Sequence, residues 1–488
     1  MSPSPDADHT HSDEARPEGI DAVGLAAAIR SGAMSAGDVL ERTLARLDER
    51  NPALNAVIAR CDDAARASVA AGLPDGPLTG VPFVVKDLGV DVAGLPATNG
   101  SRLFADVVAT TDSEIVARYR RAGLVIIGGT NTPEFGRNAS TEPLLFGPTH
   151  NPWSLSHSPG GSSGGTAAAV AAGIVTAGHG NDGGGSLRIP ASACGLVGLK
   201  PSRGRTPAAP RRTLLSYPLG INHALARTVR DTAVLLDIAA GPLPGDPYVI
   251  APPLRPYADE VGRAPGRCRI GVSVHTPAGD AIHPDCAAVV RSVAALLEQV
   301  GHDMVDDQPT YPLDALSCAV RVFMSAPLAL DIDDRLASLG RPLRDDDLEP
   351  LTRAIYEDGL RLTGAQVTFA HRELERAAHT IGAYFVDHDL LLTATLSRPT
   401  PELGLLDTTD LAAVRRHAGA YAALASPYNV TGQPAISLPM GYDARGMPVG
   451  VQLVAAYGRE DLLIRVASQL ESVQPWSIAP VWPPRSAG

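Results

Sequence analysis

Two parts of the sequence hold side chains that could do chemistry together. One is Lys86, at the end of the run VPFVVK; the other is the stretch Ser158–Ser186, SPGGSSGGTAAAVAAGIVTAGHGNDGGGS. That stretch combines hydroxyls with many glycines and almost no bulk. Glycine buries no side chain and loses the most entropy on ordering, so packing alone does not justify such a segment. Three chemistries use glycine this way. A Walker-type phosphate loop needs a lysine before its last Ser or Thr, and GGGSLR has none. A nucleophile elbow, G-x-S-x-G, is matched by Gly161–Gly165 with Ser163 as nucleophile. An elbow follows directly on a strand, whereas NPWSLSHSPGG offers prolines and no apolar run; its histidine would be a later one such as His417. The third chemistry is a glycine nest. Three glycines before Ser186 can turn N–H groups inward, which sets the Ser186 hydroxyl beside a ready-made oxyanion hole. A serine needs a base at neutral pH, and a lysine that burial keeps neutral can supply it. Lys86 closes an apolar run, where lysines are rare. Taken singly, a Ser in a glycine loop is a turn residue and a Lys after a strand points to solvent; their joint occurrence is the signal.

The surrounding pattern predicts the elements that must position these groups. Val81–Val85 reads as a short buried strand ending at Lys86. SAGDVLERTLARLDERNP predicts a helix that Ser35 caps, with Val39, Leu40, Leu44 and Leu47 on one face and Pro52 as its stop. TDSEIVARYRRAGLVIIGGTN predicts helix, glycine turn and strand. GGTAAAVAAG predicts a helix of small residues that packs closely on its neighbours, and NDGGGS a tight loop. Strand–helix alternation recurs at CRIGVSVHT, the helix near Asp285 to Gln299 and GHDMVD, and again at GMPVGVQLVAA followed by EDLLIRVASQLE. The expectation is an α/β fold, with a central mixed sheet covered by helices on both faces. Residues 310–385 read as a charged, helix-rich elaboration of one face.

Composition narrows the function. At 488 residues and a net charge of −12, the chain has no basic bias toward nucleic acid. No run of eighteen apolar residues suggests a membrane span. The polar, acidic start, MSPSPDADHTHSDEARPEG, lacks the apolar core of a secretory signal, and residues 1–18 are expected to form a disordered tail. The five cysteines are scattered, with no CxxC pair, which fits a reducing, cytoplasmic setting and no metal framework. Neither a metal nor a cofactor is expected.

The same residues resemble the amidase signature family of serine hydrolases. GGSSGGTAAAVAAG and GNDGGGSLRIPASACGLVGLKP are similar to that family's central wording. VPFVVKDL, GTNTPEFG, GPTHNPW and SPYNVTGQPAISLPMGYDARGMPVGVQL resemble its other segments in order, so the resemblance covers most of residues 20–475 and is weakest over 310–385. It implies one large domain over residues 19–482. By position, Ser186 is similar to the family nucleophile, and Lys86 to the base. Ser162, which lies 24 residues before Ser186, is similar to a bridging serine held by a cis peptide. The resemblance implies an oxyanion hole of the backbone N–H groups of Gly183, Gly184, Gly185 and Ser186. It gives Asp182 and Arg188 the role of bracing the loop, and Ser163 that of supporting Lys86 or capping the following helix. The implied activity is hydrolysis of a carboxylic amide through an acyl-enzyme, with a small-molecule amide as partner and a homodimer as a plausible assembly.

Two positions depart from the family wording GTDTGGS: its two threonines are Asn181 and Gly183 here. HGNDGGGS resembles the branch that includes hydrolases of cyclic nylon oligomers. A carbamate or ester hydrolase would use the same acyl chemistry. The glutaminase subunit of a tRNA amidotransferase is the other alternative, but it usually carries RQPA where this chain has RIPA, with Ile189. Specificity is expected from 310–385 and from loops near Phe135 and Phe146.

Overall fold

Among the described residues, 19–210 and 213–484, the computed structural model forms one mixed sheet of eleven strands. They are β1 (Val57–Arg60), β2 (Pro82–Lys86), β3 (Val125–Thr130), β4 (Ala177–Asp182), β5 (Val197–Lys200), β6 (Ile221–Ala226), β7 (Arg269–Val272), β8 (Asp303–Asp306), β9 (Leu390–Ala394), β10 (Ala435–Tyr442) and β11 (Pro448–Ala455). Their order across the sheet is β1-β3-β2-β4-β6-β5-β10-β11-β9-β7-β8. β3, β2 and β4 run parallel, as do β9, β7 and β8; the middle of the sheet is antiparallel. The expected tail, 1–18, lies outside the described residues.

β2, β9 and β11 are buried along their whole length, as near-continuous apolar runs require when both faces are covered. The two-residue period of a strand then sorts side chains to opposite layers. In β9, Leu390 and Leu392 pack with the helices Val229–Ala239, Pro284–Gln299 and Glu460–Val473. Leu391 between them packs with the helices Leu313–Leu339 and Gly364–Asp387 instead. In β2, Val84 meets the helices Ala36–Leu54 and Gly164–Ala171, while Phe83 and Val85 meet Ala22–Arg30 and Glu114–Arg121. Lys86 therefore shares the face of Val84, the face covered by Gly164–Ala171. That helix can come close because it is small-sided: a Cβ on Gly165 would lie 2.5 Å from the Asn131 nitrogen and 2.6 Å from the Ala56 oxygen.

Ser35 caps its helix as expected, accepting from the Asp38 N–H at 3.0 Å. Pro52 does not stop it. The helix runs on to Leu54 and ends at Asn55 in the left-handed region, φ 49°. In the last turn the nearby Asn51 takes over the chain exit, with its Oδ1 accepting from the N–H groups of Ala56 (3.0 Å) and Val57 (2.8 Å). Residues 310–385 hold three helices, Leu313–Leu339, Pro350–Leu360 and Gly364–Asp387. The first is long and apolar enough to cross a membrane by length and composition alone. Its Leu316, Ala319, Val322 and Phe323 are instead buried against Leu374, Ala377 and Ile381 of the neighbouring helix.

Candidate active site

Parallel pairing of β2 with β4 brings the C-terminal ends of both strands to one edge, Lys86 on one and Asn181–Asp182 on the other. The loop entering the helix Gly164–Ala171 brings Ser162 and Ser163 over the same edge, through a cis Gly161–Ser162 peptide. Lys86 is 1% exposed. Its Nζ hydrogen-bonds Ser162 Oγ at 2.7 Å, Asn181 Oδ1 at 2.7 Å and Ser163 Oγ at 3.1 Å. Ser163 stands at the start of the helix but makes no side-chain cap; its hydroxyl donates to the Asn181 carbonyl at 3.2 Å. Of the two roles open to Ser163, contact with Lys86 is the one the structure contains.

Behind Lys86 on β4 lies His179, wholly buried, with its imidazole pushed down to about 3, chiefly by burial. It stays neutral through the physiological range.

The loop from Asp182 to Arg188 is held from below. Arg188 and Asp182 are both 0% exposed and form a two-pronged ion pair, Nε to Oδ2 at 2.9 Å and Nη2 to Oδ1 at 3.0 Å. Burial works against the Asp182 carboxylate, but the Arg188 charge and hydrogen bonds overcome it and hold its pKa well below the usual range. The remaining Arg188 donors reach Asn429 Oδ1 (2.7 Å), Gln452 Oε1 (2.7 Å) and the Ala425 carbonyl (2.8 Å), while Asn429 Nδ2 donates back to Asp182. Asp182 also accepts from the loop itself, from the Gly185 N–H at 2.6 Å and the Leu187 N–H at 3.2 Å. The Gly185 N–H, expected in the oxyanion hole, is thus turned to the Asp182 carboxylate. Gly185 has φ 125°, a backbone that only glycine adopts without strain, and this turn sets Ser186 at the head of the helix Arg188–Cys194.

Arg188→Leu should therefore destabilise the protein by about 3–5 kcal/mol, because it leaves the Asp182 charge buried and unpaired. Thermal unfolding at neutral pH checks this; an unchanged melting temperature would show that the pair does not hold the loop.

A cavity open to solvent lies over this edge. Leu88, Phe135, Ser162, Asn181, Tyr217 and Met324 line it, together with Gly183 and Gly184. Gly183 makes room for a ring above the loop: a Cβ there would lie 2.4 Å from the Tyr217 hydroxyl oxygen. Phe135 and Met324, the latter from the 310–385 region, line the cavity. Phe146 is not among its lining; its carbonyl instead accepts from Asn55 Nδ2 at 2.8 Å. His417 sits on the helix Leu411–Tyr421, outside the lining. Among the described residues, no group of three or more His, Cys, Asp or Glu side chains is placed to hold a metal ion. Sequence reasoning missed Tyr217, Asn429 and Gln452. Gln452 had a signal, as a lone amide within the apolar run VGVQLV, and Asn429 lies in the segment SPYNVTGQP that resembles the family; Tyr217 had none.

The family described as Amidase matches residues 38–464. The chain belongs to the amidase family and is a hydrolase of amide C–N bonds. It is 42% identical to a 6-aminohexanoate-cyclic-dimer hydrolase of Paenarthrobacter ureafaciens, over 93% of this chain and 95% of that one. It is 38% identical to the putative amidase AmiC of Mycobacterium bovis, over 94% and 95% of the two chains. A solved 6-aminohexanoate cyclic dimer hydrolase with bound substrate superposes with a TM-score of 0.90 at 40% identity, covering 96% of this chain and 99% of that one.

Proposed function

We propose that this chain hydrolyses a small carboxylic amide through an acyl-enzyme on Ser186, with Ser162 and Lys86 as a proton relay. The observation that carries this is the buried 2.7 Å hydrogen bond between Lys86 Nζ and Ser162 Oγ, at a cavity lined by Gly183 and Gly184. Ser186 Oγ attacks the carbonyl carbon. Its proton passes to Ser162 Oγ as the Ser162 proton passes to the neutral Lys86 amine. The carbonyl π electrons move to oxygen, and the oxyanion is met by the N–H groups of Gly183, Gly184 and Ser186. As the C–N bond breaks, the proton returns by the same route to the leaving nitrogen. Water then adds to the acyl carbon with the relay again acting as base, releasing the acid and restoring Ser186.

The substrate class follows from the cavity and the relatives. Leu88, Phe135, Tyr217 and Met324 favour an apolar acyl or amine portion, and relatives named for a cyclic aminohexanoate dimer point to compact or cyclic amides. Matched esters and carbamates would pass through the same acyl-enzyme. The five unpaired cysteines suit action in a reducing cytoplasm.

The purified chain alone should release amine from small apolar amides, without ATP, nucleic acid or a partner protein. A screen of aliphatic, aryl, cyclic and peptide amides, with matched esters and carbamates, reads this directly. Activity confined to glutamine, and seen only after a partner protein is added, would replace the stand-alone amidase with an amidotransferase subunit.

A further inference from the structure

Asn181 stands where the family wording has a threonine, and its side chain reaches Lys86. Its carboxamide is fixed at both ends: Nδ2 donates to the Leu88 carbonyl at 2.6 Å, and Oδ1 accepts from Lys86 Nζ at 2.7 Å. We propose that Asn181 is a positioning residue that turns the neutral Lys86 amine so that its lone pair faces the Ser162 hydroxyl. This rests on the relay described above.

The reasoning is one of hydrogen-bond polarity. A neutral amine has two N–H donors and one lone pair, whereas the ammonium has three donors and none. Asn181 Oδ1 carries no hydrogen, so toward Lys86 it can only accept. The Ser163 hydroxyl hydrogen is directed at the Asn181 carbonyl, 3.2 Å away, so toward Lys86 its oxygen also accepts. These two acceptors take the two N–H groups of the neutral amine. The lone pair is left for Ser162, whose O–H is the one that must be taken during attack. Without the Asn181 acceptor, rotation about the terminal C–N bond can point an N–H at Ser162, and the amine then faces it as a donor, the wrong polarity for a base.

Asn181→Ala and Asn181→Asp test this. The first readout is the rate of covalent labelling of Ser186 by a small fluorophosphonate, located by peptide mass spectrometry; the second is the pH profile of kcat/KM. Wild-type labelling at Ser186 must come first. If it is absent, the relay reading fails, independently of Asn181. With it present, Asn181→Ala is expected to lower the labelling rate and kcat by about 10- to 100-fold, part of the range that general-base catalysis contributes, with KM little changed. Asn181→Asp keeps an acceptor but adds a negative charge that favours the ammonium. Its rising pH limb should move about 1–3 units toward alkaline pH, with rate recovered there. The other titratable neighbours, His179 on β4 and Asp87 directly after Lys86, are unchanged in both variants, so the shift is read against wild type. Circular dichroism confirms that each variant is folded. A folded Asn181→Ala that labels at the wild-type rate, or an Asn181→Asp with an unmoved pH limb, overturns the proposal. If Asn181→Ala does not fold, the Asp variant's pH limb alone decides.

Discussion

Ser186→Ala should lose nearly all turnover, with kcat down on the order of 10⁶-fold, as for a serine hydrolase stripped of its nucleophile. The substitution removes one oxygen from a side chain that is 9% exposed and leaves the Asp182–Arg188 pair below it intact. Folding and substrate binding should therefore persist, and the loss should fall on kcat. The competing nucleophile is Ser163, which matches the elbow pattern. Ser163 is 0% exposed, and its hydroxyl is held between Lys86 and the Asn181 carbonyl. It also follows a loop, not a strand, as the segment before it runs through Pro159 with no strand. A fluorophosphonate probe separates the two. It should modify Ser186 in the wild type and nothing in Ser186→Ala, whereas labelling of Ser163 in that variant would make the elbow the true site.

The make-up of the candidate site is legible because its glycines and serines sit at fixed positions along the chain. SSGG, GNDGGGS and a lysine closing an apolar run are local patterns, and the three segments meet through local rules. Parallel strands align their C-terminal ends, and a small-sided helix can lie close on them. What stayed hidden is what depends on contacts between distant segments. Tyr217 reaches over Gly183 from a loop, and Asn429 and Gln452 close the ring of partners around Arg188 from more than 200 residues away. No periodicity encodes such meetings. The resemblance implies a place for the Gly185 N–H in the oxyanion hole, but the Asp182 carboxylate takes it. A charged acceptor fixed by the adjoining Arg188 makes the stronger bond to that donor. Asn181 was visible only as a departure from a family pattern; its bond to Lys86 gives the departure a physical meaning. Pro52 misled because a proline withholds only its own N–H; the residues after it still donate back into the helix, and the Asn51 side chain accepts from the two N–H groups that leave it.

The base is tested by a pair of variants, Lys86→Arg and Lys86→Met, and both should lose about 10²–10⁴-fold in kcat/KM. They fail for different reasons, which is why both are needed. Arginine keeps the positive charge and can donate to Ser162, Ser163 and Asn181, but a guanidinium does not deprotonate in a protein and has no lone pair to offer. Methionine keeps the length of a side chain that is 1% exposed, but it leaves the Asn181 Oδ1 acceptor without its donor, at a cost of about 1–3 kcal/mol in stability. If Lys86 served only as a structural cation, arginine would largely restore activity and methionine would not. If it is the base, the two are equally inactive although their melting temperatures differ. The pH profile gives a second reading. A base must be neutral to act, so wild-type kcat/KM should climb with pH toward an optimum above neutral. The residual rate of Lys86→Arg should lack that limb, since no amine remains to lose its proton. An Arg variant with substantial activity, or one that keeps the wild-type limb, would remove Lys86 from the relay.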